Sequence, residues 1–211
     1  MTDTKVKLVL ASASPRRLAL LEQAGVVPDL LNPVDVDETP KKRETPRSLS
    51  ARLALEKART AAAAPLVNAL GPLRFIVAAD TVVAVGKRII GKPQSIDEAA
   101  KALWLLSGRS HRVYSTVAVV APSGAVRSRV VESKVRLKRL TREDIESYLV
   151  TDEWRGKAGA YAIQGRAEVF VRSFYGSHSA VIGLPLYETI SLLQGAGYPV
   201  YYTWMSAAAA A

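Results

Sequence analysis

The chain contains 211 residues, a length that fits one or two domains and is sufficient to bury a hydrophobic core. Apolar residues make up 49% and charged residues 23% of the sequence, and this balance excludes a wholly disordered or collagen-like chain. The absence of cysteine excludes disulfide scaffolds, thiolate metal sites and cysteine nucleophiles. A net charge of +10 favours polyanionic partners such as phosphates, nucleic acid or an acidic membrane surface.

The predicted elements begin with a short buried strand over 6–11. Ser14 and Pro15 then form a typical helix start, with serine as the N-cap and proline at the first helical position, and Gly25 ends that helix. A second strand is predicted over 30–36. The later elements are, in chain order, a helix over 46–63, strands over 75–85 and 88–90, a helix from 96 to about 106, a hairpin of strands 112–120 and 126–140, a short helix ending near 149, a strand over 167–171 and a last helix over 183–194.

This order of elements predicts the fold class. Helices interleaved with strands, together with one hairpin, indicate an α/β protein with a mixed, twisted sheet flanked by helices. No repeat or linker divides the chain, so 1–206 are predicted to form a single domain, and the alanine-rich tail over 207–211 is assigned no function. No apolar run reaches the ~18–20 residues of a membrane span and the first residues are too polar for a signal peptide, so we expect a cytoplasmic protein without a membrane partner.

An anion site is predicted where the first strand passes into the first helix, at residues 12–17. A helix N-terminus presents unpaired N–H groups and a partial positive charge. Arg16 and Arg17 in the first turn oppose that dipole unless an anion lies between the N–H groups and the Arg16 guanidinium. The alternative is an ordinary capped helix with solvated arginines.

Asp80 is the second candidate, because it is the only charged residue in the apolar run 75–85. Burying a lone carboxylate costs several kcal/mol, so Asp80 must be paired, bound to a metal or exposed to a cleft. A functional carboxylate is favoured over a structural ion pair. Strand alternation places Asp80 and Thr81 on opposite faces, so the strand is expected to end or bulge there if both serve one site.

Two lysines are further candidates. Lys57 falls within the apolar sector of the helix over 46–63, so it either extends along the apolar surface to solvent or points into an anion-binding cleft, and the spacing alone slightly favours the first. Lys92, between Gly91 and Pro93, has a rigid backbone frame suited to a phosphate, although glycine and proline also mark ordinary turns.

Other polar side chains carry weaker signals. Glu38 ends a short acidic cluster that could ligate a hard cation such as Mg²⁺, although such a run is more often a solvated turn. Gln164 lies in the flexible segment 156–165 and carries the donor and acceptor groups needed to read the edge of a base. His111 and His178 lack partners at ligand or triad spacing and are interpreted as structural.

Six blocks of the sequence together resemble the Maf family of nucleotide pyrophosphatases. In the order of the family they cover 8–17, 55–58, 79–82, 91–93, 157–165 and 181–186. The resemblance implies an inosine-triphosphatase-like α/β fold with the active site in a cleft between two lobes, and a homodimer. It also implies hydrolysis of a nucleoside triphosphate to the monophosphate and pyrophosphate, helped by a divalent cation, Mg²⁺ or Mn²⁺.

The resemblance also implies roles for residues of this sequence. Asp80 matches the catalytic acid of the family, and Asp80 and Glu38 match its metal-handling positions. The implied phosphate-binding residues are Ser12, Arg16, Lys57 and Lys92.

Substrate choice is implied in the same way. Arg16, Thr81 and Gln164 match the positions that separate substrate groups, and they resemble the branch acting on dTTP and UTP rather than the branch acting on 7-methyl-GTP. The chemistry agrees, because a glutamine amide can meet both the carbonyl and the adjacent N–H of uracil or thymine.

The implied mechanism is an attack of water on the α-phosphorus, with pyrophosphate leaving. Asp80 acts as the general base or holds the metal that activates the water.

Two other classes of function stay open: a non-enzymatic nucleic-acid-binding protein, suggested by the net charge and the basic hairpin over 127–139, and a nucleotide-sensing regulator of cell division. No specific nucleic-acid partner is expected, because aromatic residues are not interleaved with the basic ones. Removal of modified nucleotides is one role that the implied activity would serve.

Overall fold

The structure, a computed structural model, describes residues 5–209 and contains a mixed sheet of seven strands. The strands are β1 Lys7–Leu10, β2 Leu30–Leu31, β3 Arg74–Val85, β4 Arg88–Ile90, β5 Ser110–Val120, β6 Val126–Leu137 and β7 Val171–Tyr175. The α-helices are α1 Pro15–Gln23, α2 Pro46–Ala63, α3 Pro65–Asn68, α4 Ile96–Leu106, α5 Arg142–Leu149, α6 His178–Ile182, α7 Leu186–Gly195 and α8 Val200–Ala209, and 3₁₀ turns cover Ala158–Ala160 and Arg166–Phe170.

The order of the strands explains the mixed character of the sheet. The strands run β2-β1-β3-β5-β6-β7, and β4 pairs with the far end of β3. β1 is parallel to β2 and β3, whereas β3–β4, β3–β5, β5–β6 and β6–β7 are antiparallel. The predicted α/β fold with a mixed sheet flanked by helices is confirmed. The single domain over 1–206 stays a prediction.

Helices cover both faces of the sheet, and on one face they form two lobes. α2 covers the first face, where Ala54, Ala58 and Ala61 pack against residues of β1, β3 and β5. On the opposite face α1 and α7 pack around Val77 in one lobe, whereas α4, α5 and the two 3₁₀ turns pack around Val83 in the other. The expected cleft between two lobes is therefore present.

A gap in strand pairing opens this cleft beside the middle of β3. The last residue of β1, Leu10, pairs with Val77, and the pairing with β4 begins where Ile90 lies opposite Val83. Between these two points β3 pairs with β5 alone. One edge of residues 78–82 therefore faces the cleft.

Asp80 and Thr81 occupy this gap. They pair in continuous register with Thr116 and Ser115 of β5, so β3 neither ends nor bulges there, and the expectation that it would is wrong. Their side chains project to opposite faces of the strand, but both reach the cleft because the neighbouring strand on one side has ended.

Two predicted strands differ from the structure. The strand predicted over 30–36 is reduced to β2, because Pro33 lacks the N–H that would continue the ladder. The strand predicted over 167–171 is a 3₁₀ turn, and β7 begins only at its end. Ala167 and Phe170 are both buried, and their separation of three residues is the period of a 3₁₀ turn rather than of a strand.

The C-terminal part of the chain also differs from the prediction. The helix predicted over 183–194 begins later, at Leu186, because Gly183, with φ of 141°, ends α6 and Pro185 precedes α7. α6 and α8 were not predicted. Residues 210–211 of the alanine-rich tail lie outside the described residues. Within residues 5–209, no helix has the length and apolar character needed to cross a membrane.

Candidate active site

A cavity of about 600 Å³ lies in the cleft between the two lobes, within the usual size range of small-molecule sites. Its walls come from the β1–α1 junction, the middle of β3, the segment before and after the first 3₁₀ turn, and the turn after α6. All the residues predicted from the sequence line it, namely Ser12, Arg16, Glu38, Lys57, Asp80, Thr81, Lys92 and Gln164. Their roles stay predictions.

The N-terminus of α1 faces this cavity without a side-chain cap. Ser14 occupies the N-cap position, as the sequence predicts, but its side chain makes no capping hydrogen bond. Instead the Ser12 hydroxyl accepts hydrogen bonds from the Ser14 amide at 3.2 Å and from Arg17 Nη1 at 3.1 Å. The positive end of the helix is therefore directed at the cavity, as an anion site requires.

Two neighbouring arginines flank this helix end. Arg16 Nη2 donates to the carbonyl oxygen of Gly156 at 3.4 Å, and Arg17 Nε donates to that of Gly183 at 2.8 Å. Burial lowers the pKa of Arg16 below its usual value. Burial also lowers the pKa of Arg17; the charge of Asp80 opposes that effect and the charge of Arg16 adds to it. The two desolvated cations repel each other, so an anion bound between them would relieve the repulsion.

A chain of alternating charges crosses the other wall of the cavity. The Lys57 ammonium donates to Asp80 Oδ1 and to Glu38 Oε1, each at 2.7 Å, and Lys92 donates to Glu38 Oε2 at 3.2 Å. Lys57 and Asp80 are both buried. Lys57 therefore points into the cleft, and the slightly favoured alternative, extension along the apolar surface to solvent, is wrong.

Glu38 shows how these cations act on a carboxyl group. Partial burial alone would raise its pKa, but the hydrogen bond and charge of Lys57 outweigh that effect, and Lys92 adds to it. The pKa of Glu38 is therefore lowered, which keeps the side chain ionised at neutral pH.

The segment that carries Gln164 is anchored by two buried tyrosines. The Ala162 amide donates to the Tyr148 hydroxyl at 2.9 Å, and the Tyr161 hydroxyl hydrogen-bonds with His111 Nε2 at 2.7 Å. Burial raises the pKa of Tyr148 to about 12 and also raises that of Tyr161, so both hydroxyls are neutral. His111 lies in the core, as its interpretation as a structural residue predicts.

Comparison with known proteins shows which family the chain belongs to. Residues 7–196 match the family described as Maf-like protein, which is most of the chain. The chain belongs to the Maf family.

Relatives of this Maf family member align with it over nearly the whole length of both chains. Proteins named dTTP/UTP pyrophosphatase from Mesorhizobium japonicum and from Rhodopseudomonas palustris strain HaA2 are 54% and 57% identical, and each comparison covers 95% of this chain and 97% of the relative. The protein of that name from Rhizobium meliloti is 54% identical over 97% of this chain and 99% of the relative.

A solved structure also matches. It is a nucleoside-triphosphatase, or dITP/XTP pyrophosphatase, from Mycobacterium abscessus, with a TM-score of 0.39, 22% identity, and coverage of 64% of this chain and 74% of that one.

The cavity of this Maf protein also contains basic residues that were not among the predicted site residues, namely Arg17, Arg155 and Lys157. With Arg16, Lys57 and Lys92 they make six basic side chains against two acidic ones. Arg17 was detectable from the sequence, because it follows Arg16 at the same uncapped helix end. Lys157 was detectable too, because it opens the block 157–165 that carries the resemblance, whereas Arg155 lies outside every block and reaches the cavity only through the fold.

The donor set suits a hard divalent cation. Within residues 5–209 no group of three or more His, Cys, Asp or Glu side chains is close enough to hold a metal alone. Asp80 and Glu38, however, meet at the Lys57 ammonium, and Mg²⁺ is commonly bound by one or two carboxylates that share it with substrate phosphates. The residues present therefore fit a cation that arrives with a nucleotide.

Proposed function

We propose that this chain is a dTTP/UTP pyrophosphatase that hydrolyses these nucleotides to the monophosphate and pyrophosphate. The family membership and relatives at 54–57% identity with this name support the activity. The observation that carries the proposal is the charge of the cavity, where six basic side chains and an uncapped helix N-terminus surround two carboxylates. A polyphosphate is the ligand that such a surface complements best.

In the proposed complex the phosphate tail lies across the N-terminus of α1. The first-turn amides, Ser12 and Arg16 bind its oxygens, and Arg17 lies beside them. Lys57 and Lys92 face the tail from the opposite wall and neutralise the charge that builds up on the leaving pyrophosphate.

Asp80 acts as the general base. Its carboxylate takes a proton from a water molecule, whose oxygen forms a bond to the α-phosphorus while the bond from that phosphorus to the α–β bridging oxygen breaks. The electron pair of the broken bond leaves with pyrophosphate. The Lys57 ammonium, at 2.7 Å from Asp80 Oδ1, orients the carboxylate before the substrate binds.

Asp80 and Glu38 are the proposed ligands of a divalent cation, Mg²⁺ or Mn²⁺. When bound, such a cation supplies positive charge to the phosphate oxygens and lowers the pKa of a coordinated water. Glu38, kept ionised by Lys57 and Lys92, presents an oxygen ligand of the kind that these cations prefer.

Gln164 and Thr81 are the proposed contacts to the base, and Arg16 is proposed to contribute to the choice of substrate. All three line the cavity. The Gln164 amide N–H can donate to a base carbonyl, a group that uracil and thymine both offer. A cytoplasmic homodimer belongs to the same proposal, and sedimentation velocity of the purified protein tests the assembly.

The proposal is tested by pyrophosphate release from a panel of dTTP, UTP, CTP, GTP and 7-methyl-GTP, with Mg²⁺ and with a chelator in its place. We expect release from dTTP and UTP well above the other three, and its loss with the chelator. Tight nucleotide binding without turnover would favour the sensor alternative instead. Salt-dependent nucleic-acid binding without turnover would favour the other alternative.

A further inference from the structure

A short chain of hydroxyl groups lies behind the wall of the cavity. The Thr81 and Ser115 hydroxyl oxygens are 2.9 Å apart on the paired strands β3 and β5. Ser115 is completely buried and donates to the carbonyl oxygen of Ala180 at 2.5 Å. Thr81 also lies 3.4 Å from the carbonyl oxygen of Gly183, in the turn after α6.

Counting protons fixes the direction of these hydrogen bonds. Each hydroxyl has one proton to donate, and a carbonyl oxygen can only accept. The Ser115 proton is therefore used on Ala180, so between the two hydroxyls Ser115 must accept and Thr81 must donate. The weaker contact of Thr81 with Gly183 has the same direction. In either case the Thr81 proton points into the protein, and only lone pairs of Thr81 face the cavity.

We infer that Ser115 is a positioning residue that makes Thr81 an obligate hydrogen-bond acceptor toward the substrate, and that the donor it selects is the N3–H of uracil or thymine. The inference rests on the proposed function. Thr81 projects from the face of β3 opposite to Asp80, on the same face as α1, and it contacts the same Gly183 carbonyl oxygen as Arg17. The ionised phosphate oxygens are themselves acceptors, so an acceptor-only Thr81 must meet the base or the sugar.

The chemistry of the two proposed substrates limits what Thr81 can accept from. dTTP lacks the 2′-hydroxyl, so the N–H and O–H donors that dTTP and UTP share are N3–H and the 3′-hydroxyl. Cytosine carries a lone pair at N3, which would face the lone pairs of Thr81. A site built to hydrogen-bond one group rejects an analogue that lacks it, because a desolvated polar atom is left without a partner.

Removing the Ser115 hydroxyl reverses this selection. In Ser115→Ala the Thr81 proton loses its closest acceptor and keeps only the weaker 3.4 Å contact with the Gly183 carbonyl oxygen, so it can exchange that contact for donation to cytosine N3 in the cavity. We expect the ratio of kcat/KM for UTP to that for CTP to fall at least about tenfold, chiefly because CTP improves. Ser115→Thr, which keeps a hydroxyl, should keep the wild-type ratio. Thr81→Val, which keeps the shape but lacks the oxygen, should also lose the preference.

Ser133→Ala is the matched control. Ser133 is a buried serine on β6 whose hydroxyl donates to the carbonyl oxygen of Ser177, outside the cavity. The Ser133→Ala variant removes the same hydroxyl oxygen from the same sheet, so its ratio of kcat/KM for UTP to that for CTP should stay at the wild-type value. A change as large as in Ser115→Ala would show a general effect on the fold and overturn the inference.

Two nucleotide analogues separate the possible donors on the wild-type protein. N3-methyl-UTP, which lacks the N3–H, should be hydrolysed at least about tenfold less efficiently than UTP, whereas 3′-deoxy-UTP should not. The reverse result would assign Thr81 to the sugar and overturn the inference, as would an unchanged ratio in Ser115→Ala or Thr81→Val. If the wild type releases no pyrophosphate from UTP, the proposed function itself fails, which is a different outcome.

Discussion

Asp80 and Lys57 are two buried charges of opposite sign that compensate each other between apolar clusters. On one side of the pair Ala54 and Ala58 of α2 pack against β3, and on the other side Leu53 of the same helix packs against Val82. A carboxylate in such surroundings is stable only when paired. The Lys57 ammonium therefore compensates the Asp80 carboxylate at a position where an apolar residue would otherwise pack.

Replacement of this carboxylate tests its proposed role. Asp80→Asn keeps the shape of the side chain but cannot take a proton from water, so turnover of UTP should fall ~10²-fold or more while the fold is retained. Pyrophosphate release and circular dichroism measure the two effects. Asp29→Asn is the matched control, because Asp29 binds Lys7 and the Leu8 amide at the opposite end of β1. A near-normal rate for Asp80→Asn would remove Asp80 from the mechanism.

The pairing itself makes a prediction about stability. Lys57→Met leaves Asp80 buried without its cation, so the free energy of unfolding should fall by about 3 kcal/mol or more at neutral pH. The double variant Lys57→Met/Asp80→Asn should be more stable than Lys57→Met, because the uncompensated charge is gone. Urea denaturation measures both, and a double variant no more stable than the single one would show that the pair is not coupled.

At this scale the sequence predicts which residues are unusual but not which of them meet. Asp80 in an apolar run and Lys57 in an apolar helix sector each required a partner, and the two pair with each other, with Glu38 as a second partner of Lys57. That contact depends on how α2 lies across β3, which no local pattern contains. Arg155 was missed because only the fold brings it to the cavity.

At the scale of elements, α1 and α2 begin with the same sequence signal but end up differently capped. Each starts at a proline that follows a hydroxyl residue, Ser14 or Thr45. Thr45 forms a reciprocal capping box with Ser48, whereas the Ser14 side chain makes no cap. α2 is therefore closed by its own side chains, and the N-terminus of α1 is left for a ligand.

This difference predicts unequal effects of the same kind of substitution. Thr45→Ala should lower the free energy of unfolding by about 1 kcal/mol, because it removes a capping hydrogen bond. Ser14→Ala should change it by less than about 0.5 kcal/mol. Urea denaturation of the two variants without nucleotide measures the contrast, and equal losses would mean that Ser14 also caps its helix.

Long periodic elements were predicted well, whereas of the short ones β4 agrees with the prediction and others do not. The bounds of α2 agree with the prediction, and the β5–β6 hairpin is confirmed with a somewhat shorter second strand. The strand predicted over 167–171 failed because a few alternating residues are compatible with a 3₁₀ turn. The opening beside β3 could not be predicted at all, because it depends on where two neighbouring strands stop.

At the scale of the whole molecule, two polar side chains divide the apolar core beneath the two lobes. On the lobe face of the sheet, Thr81 and Ser115 lie between the cluster around Val77 and the cluster around Val83. Each lobe thus has its own apolar packing, and the cavity lies where the two packings end. His111 belongs to the lobe around Val83, where it hydrogen-bonds with Tyr161.

The burial of His111 makes stability depend on pH. Burial lowers the pKa of His111 from 6.5 to about 4, so between these values the unfolded chain binds a proton that the folded protein does not. Stability should therefore fall as the pH falls through this window. From about pH 7.5 to about pH 5, wild type should lose about 2 kcal/mol more than His111→Gln, which cannot titrate.

Urea denaturation of both proteins at the two pH values measures this difference. The other titrating groups are common to both proteins and cancel in the comparison. Equal losses would show that His111 does not stay neutral in the folded protein.

The central claim is that water attacks the α-phosphorus of UTP in this cavity and that pyrophosphate leaves. Hydrolysis of UTP with Mg²⁺ in ¹⁸O-labelled water, followed by ³¹P NMR of the products, tests it most directly. The account predicts UMP that carries the label, together with unlabelled pyrophosphate. Labelled pyrophosphate, UDP with inorganic phosphate, or no turnover of UTP would contradict it.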